Sequence, residues 1–363
     1  MRLWPVEPEI HSKPLSHHSG DVWGLAFANE RVASLSRDGV AVWHRSTYPG
    51  AAQEPEEQWA MEALPPGPVA DDEGPLVGIS MAGEGEDLHA VSTDGHVHQW
   101  HRGPEGWQHE RVIDLDLEAQ TSFASVAREG DAVLVLTGVG STAQLFTIAR
   151  GSTISKEVVG RHDGTIRYAV LDPSRSRVVT VGDDRRAKIW PREGGGEARV
   201  LEGHQGSVYS AAFDHGGQRV VTASWDGTAR VWDAEEGTLI ARLDGGIAPM
   251  RWAEFNHETS RSATLRVVTA SDSGAVTLWN VATGRRELTL GHGSPALRAV
   301  FGPNDDHVVV GLEGEDDNLM VWDVLVGNER DLWTRMRATI STTRTQEEID
   351  ALIDSGKRAH ASK

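Results

Sequence analysis

His204, Ser224 and Asp226 are the three side-chain types of a hydrolytic triad: an imidazole to take a proton, a hydroxyl to attack and a carboxylate to orient the imidazole. The set recurs. His162 stands ahead of Asp184 and His292 ahead of Asp316, each followed by a tryptophan, Trp190 and Trp322, as Asp226 is followed by Trp232. A catalytic centre is built once and scaffolding many times, and no G-x-S-x-G elbow accompanies any copy. The repetition favours a structural network. His96, His98 and His101 invite a metal, because alternate residues of a strand share a face. With no carboxylate or third ligand on that side they make a poor zinc site, and the acidic pairs Asp71-Asp72 and Asp305-Asp306 lack the spacing of a calcium loop. The glycine run 194–196 lacks the Lys-Ser or Lys-Thr of a phosphate loop. No metal and no cofactor is expected.

The elements that must carry these residues are short. From Gly203 to Asp233 the chain holds three alternating runs, SVYSAAF, QRVVTAS and TARVWD, broken by His215-Gly216-Gly217 and Asp226-Gly227. Each run is too short for a helix and rich in β-branched or aromatic residues, and the breaks are hairpin turns. One such meander leaves its faces uncovered, so copies of it are required. Anchored on Trp232, equivalent positions are Trp43, Trp100, Phe146, Trp190, Trp279 and Trp322, in steps of 57, 46, 44, 42, 47 and 43 residues. The copy around Phe146 is the weakest, with Gly140 at the turn in place of aspartate.

Gly203-His204, Ser224, Asp226 and Trp232-Asp233 resemble the WD40 signature, whose blades run to roughly 40 to 45 residues. The likeness extends over nearly the whole chain. It implies an all-β, seven-bladed β-propeller of four-stranded antiparallel blades over 1–340, an N-terminal strand closing the ring, and a short C-terminal helix in a tail over 341–363. Met1 to Trp4, MRLW, looks like the end of a further third strand and leaves an eighth blade open. In that tail Thr345 and Glu348 form a capping box, with Ile349, Leu352 and Ile353 on one face. The arrangement is similar to bacterial WD40 propellers that end STAND-type ATPases and receptor-like kinases. In the family the histidine, a strand hydroxyl, the turn aspartate and the tryptophan form a hydrogen-bonded chain inside the blade. Carried over, these are His204, Ser224, Asp226 and Trp232, with partial sets His162, Asp184 and Trp190, and His292, Asp316 and Trp322. A buried carboxylate is tolerated where such donors satisfy it.

A formal charge of -19 over 363 residues argues against nucleic acid, since phosphate binding needs a basic face. It favours basic or apolar partners. No cysteine is present, which excludes disulfides and thiolate metal sites and suits a cytoplasmic protein. No apolar run is long enough to span a bilayer. Residues 45 to 75, rich in Pro, Gly and acid, read as acidic loops around one outer strand at Gln58 to Leu64.

Function must come from a surface. The resemblance implies a protein or peptide bound on the narrow top face, through the residue before each turn aspartate and the residue at each first strand's start. The first set is Arg37, Thr93, Asp183, Trp225, Asp272 and Glu315, and the second is Trp23, Arg167, Tyr209, Arg251 and Leu297. Trp225 is the informative member, an indole at a turn with no core to fill. This reading makes the chain a non-catalytic scaffold or sensor. Its rivals are a propeller enzyme, a metal-dependent hydrolase or oxidoreductase with its site at the central channel, and an inert platform.

Overall fold

The computed structural model describes residues 12–15, 17–49, 55–65, 74–83, 85–149, 154–192, 196–257, 264–291, 293–314 and 318–324. Runs of three to eleven residues become strands, and apart from Ser12–Pro14, which joins the last blade, these pair with their neighbours in sequence. Seven four-stranded antiparallel sheets result. The first strands are Val22–Ala28, Leu76–Ala82, Ala124–Glu129, Ile166–Leu171, Val208–Phe213, Met250–Phe255 and Ala296–Phe301, in blades one to seven. Each touches the next around the ring, and the last touches the first. The fold is a seven-bladed β-propeller.

Burial is deepest on the second strand of blade five and falls toward its outer edge. In blade five the second strand, Arg219–Ser224, is buried from Val220 onward, while the fourth, Leu239–Asp244, is mostly exposed. The apolar core is a set of layers between blades. One joins Val221, Val231 and Leu243 of blade five to Met250, Ala253 and Trp279 of blade six. A blade covers its faces only against its neighbours.

Closure uses the start of the chain. Ser12–Pro14 is the outer strand of blade seven, pairing antiparallel with Leu319–Asp323 in the register Ser12↔Trp322 and Pro14↔Met320. Leu15 continues it, with its N–H donating to Leu319 O at 2.8 Å and its side chain packed among Val300, Val309 and Val321. Pairing both edges removes a template for aggregation. The outer strand of blade one runs Pro55–Glu62. MRLW and the C-terminal tail lie outside the described residues. Among the described residues no helix is long and apolar enough to cross a membrane.

Candidate functional site

In six of the seven blades the inner strand opens with a register shift: between Val22 and Gly24, Leu76 and Gly78, Ile166 and Tyr168, Val208 and Ser210, Met250 and Trp252, and Ala296 and Arg298. A bulge leaves one residue unpaired and re-aims its side chain. The residues released are Trp23, Val77, Arg167, Tyr209, Arg251 and Leu297. On blades four to six they turn toward the residue ahead of the Asp or Ser turn of the same blade. Arg167 lays its guanidinium on Asp183, with Nε and NH2 at 2.8 and 2.7 Å from the two carboxylate oxygens. Arg251 grips Asp272 in the same two-pronged way at 2.5 and 2.9 Å. Between these pairs Tyr209 meets Trp225, their ring centroids 6.0 Å apart.

Arg251 ties the three together. Its guanidinium carbon lies 5.0 Å from the centre of the Tyr209 ring and 5.8 Å from that of Trp225. Hydrogen bonds donated to Asp272 and Asp183 raise the pKa values of Arg251 and Arg167, and the one from Arg167 lowers that of Asp183. Ion pairs this exposed add about 0–1 kcal/mol to stability. Their effect is to fix the side chains that frame the aromatics. Trp225 is 52% exposed even so. Beside it the Gly245 N–H donates to Gly227 O at 3.1 Å, which lays the 245–248 loop against the Trp225 turn and leaves Ile247 fully exposed. Ile247 was not among the residues expected here. Its signal is an isoleucine set between Gly245-Gly246 and Ala248-Pro249, with no strand to join.

The other expected rim residues do not join this group. Trp23 donates from Nε1 to Leu76 O at 3.3 Å and packs on blade two. Arg37 is exposed and Leu297 half-buried. The Thr93 side chain is half-buried and its backbone bridges two loops, its N–H donating to Pro75 O and its carbonyl accepting from Thr121 N. Glu315 lies outside the described residues.

Beneath the rim runs the polar network. In blade five Asp226 accepts from His204 Nδ1 at 2.9 Å, His204 Nε2 meets Thr222 Oγ1 at 2.8 Å, and Trp232 Nε1 donates to that hydroxyl at 2.9 Å. The hydroxyl is therefore Thr222 and not Ser224. Both lie on one face, but Ser224 sits at the strand end, where it donates to Gly206 O and accepts from Asp226 N. Blade four completes its set with Thr180, which joins His162 at 2.8 Å and Trp190 at 2.8 Å, while Asp184 accepts from His162 at 2.9 Å. Blade one carries a full set that the sequence reading passed over: His18 with Asp38 and Ser34, both at 2.8 Å, and Trp43 Nε1 donating to Ser34 at 3.4 Å. In blade six Trp279 donates to Thr269 at 2.9 Å, with Ser273 at the turn. His292 and Asp316 lie outside the described residues; Trp322 of blade seven is buried, and Val310 stands where the other blades have the hydroxyl.

Burial holds His204, His162 and His18 below the ordinary histidine value in spite of their aspartates. Burial opposes ionisation of Asp226, yet hydrogen bonds from His204, Thr228 and the Gln205 N–H hold its carboxyl far below the usual range. The hydroxyls of the three complete sets, Thr222, Thr180 and Ser34, are fully buried inside their blades. Of the blade-two histidines, His98 is buried against Trp100, His96 lies beside Asp94 and His101 pairs with Asp87 at 2.9 Å. Among the described residues no three such side chains are placed to hold a metal ion.

The family model described as WD domain, G-beta repeat matches residues 195–233 and 284–323. Each match is the outer strand of one blade followed by three strands of the next. Two stretches of the chain thus match the WD40 repeat. That offset between repeat and blade is the reason a WD40 ring needs its first strand, here Ser12–Pro14, to finish its last blade. Among solved structures, the crystal structure of the WD40 β-propeller domain of Doa1 superposes with a TM-score of 0.65 at 18% identity, covering 86% of this chain and 95% of that one. At that identity the likeness shows the propeller fold alone. No curated protein matches the sequence.

Proposed function

We propose that this WD40 propeller is a non-catalytic binding module that takes a protein or peptide on its top face, over blades four to six. The observation that carries the reading is Trp225. It is half exposed at a turn, fills no core, and is framed by Tyr209, Arg251 and two ion pairs. Tryptophan, tyrosine and arginine dominate binding hot spots, and preorganised side chains lose little entropy on binding. The formal charge of -19 suits a basic or apolar partner and would speed its approach. Ile247 extends the aromatic patch with aliphatic surface. Such a module fits the sensing end of a signalling assembly.

The test is affinity purification from a lysate of the source cells, with the wild-type chain beside a folded Trp225→Asp, Tyr209→Ala variant. A partner captured by the first and lost by the second supports the reading. Equal capture by both chains overturns it.

A further inference from the structure

The first residue after each bulge differs in size from blade to blade. On blades one, two and five it is small, Gly24, Gly78 and Ser210, while on blades four, six and seven it is Tyr168, Trp252 and Arg298. Tyr168 and Trp252 come from blades that are not neighbours, yet their rings meet edge to face at 5.1 Å. Arg298 lies over the same indole, its guanidinium carbon 3.9 Å from the centre of the Trp252 ring. The stack borders a cavity of about 410 Å³ that opens at the end of the channel away from the Trp225 rim.

Much of the wall is apolar, with Phe213, Phe255, Val170 and Ala211 completing what Tyr168 and Trp252 begin. Its polar groups include two arginines, Arg175 and Arg298, and His257, beside the carboxylates Glu254 and Asp214. Arg298 Nε is buried and has no hydrogen-bond partner among the described residues. His257 is held by Asp305 at 3.1 Å, and that hydrogen bond raises its pKa. Arg175 donates only to the carbonyl oxygens of Arg128 and Asp172. The carboxylate facing them, Glu254, accepts from Trp252 Nε1 at 3.1 Å, and burial shifts its pKa upward toward the neutral acid. In a chain of charge -19, a pocket that sets Arg298, Arg175 and His257 against Glu254, inclined to be neutral, and Asp214, already paired with Arg219 at 3.0 Å, is set apart from the surface around it.

We infer that this cavity binds a small organic carboxylate with an apolar or planar body, its anionic end on Arg298 and its body against Tyr168, Trp252 and Phe213. A guanidinium clamped on an indole keeps its fork of donors in one orientation, which matches the two oxygens of a carboxylate. The volume lies in the range of ordinary small-molecule sites. The site is independent of the top rim and has no part in the reading proposed for it.

Isothermal titration with phenylacetate, indole-3-acetate and hexanoate tests this, with tryptamine as a cationic control. At least one carboxylate is expected to bind saturably at one site per chain. Arg298→Gln should weaken it at least about tenfold, as loss of a charge-assisted pair does. Glu254→Gln should tighten it, and Trp225→Asp should leave it unchanged. Thermal melts of each variant establish folding; if Arg298→Gln does not fold, Arg298→Lys, which keeps the charge without the fork, is expected to weaken binding while Glu254→Gln strengthens it. The inference is overturned if none of the three acids binds, if loss of the Arg298 fork changes nothing, or if tryptamine binds and Glu254→Gln abolishes it.

Discussion

Blade five and blade three put a threonine at the same depth of the second strand, one to the polar network and one to nothing. Thr222 accepts a hydrogen bond from Trp232 Nε1 and donates one to His204 Nε2. Thr137, as deeply buried, has no partner for its hydroxyl among the described residues, because Phe146 replaces the tryptophan and a two-residue turn at Gly140-Ser141 replaces the aspartate turn. Both blades nonetheless keep full ladders and apolar layers. Backbone pairing and packing therefore build a blade, and the network is an addition that makes its host blade costly to perturb. An unpartnered buried hydroxyl is a standing penalty that blade three carries.

The contrast is broken most forcefully at the carboxylate. Asp226→Ala leaves His204, Thr228 and the Gln205 N–H without their acceptor and, with two buried donors stranded at about 1–3 kcal/mol each, is expected to cost about 2–6 kcal/mol, read as a lower denaturant midpoint. Next, Thr222→Val should cost about 1–3 kcal/mol, since it strands His204 Nε2 and Trp232 Nε1. The same swap at Thr137 should be neutral or stabilising, and an equal loss at both positions would refute the comparison. Acid separates the blades too. His204, His162 and His18 are held below the ordinary value of 6.5, so the unfolded chain takes up protons that the folded chain refuses as pH falls under that value. The stability they confer is present above it and lost below it. Hydrogen exchange in blades one, four and five should quicken as the pH falls from 7 toward 5, relative to blade three, which has no buried histidine. The smallest effect is expected at the rim, where Trp225→Asp should change stability by less than about 0.5 kcal/mol while abolishing partner capture.

Much of this was legible in the sequence, and the residues that were not share a cause. Tryptophan spacing and Asp-Gly turns specify strands, blades and the placing of Trp225, because these follow from local pattern. Thr222 and Ser224 are both hydroxyls on one face, and only depth in the blade decides between them. His18 was hidden by the adjacent His17 and by standing 20 residues from its aspartate, where His162 and His204 stand 22 from theirs. Trp23 and Tyr209 occupy equivalent bulges, yet the first packs on blade two and the second on its own turn. The stack of Tyr168, Trp252 and Arg298 depends on ring closure, which no local pattern encodes.

The claim that blades four to six form the binding rim is tested most directly by a photo-crosslinking side chain placed at position 225 and, in a second chain, at position 37 on blade one. Both are exposed and precede equivalent turn aspartates. The account predicts a crosslinked partner from 225 and little or none from 37. Equal crosslinking at the two positions, or crosslinking from 37 alone, would contradict it.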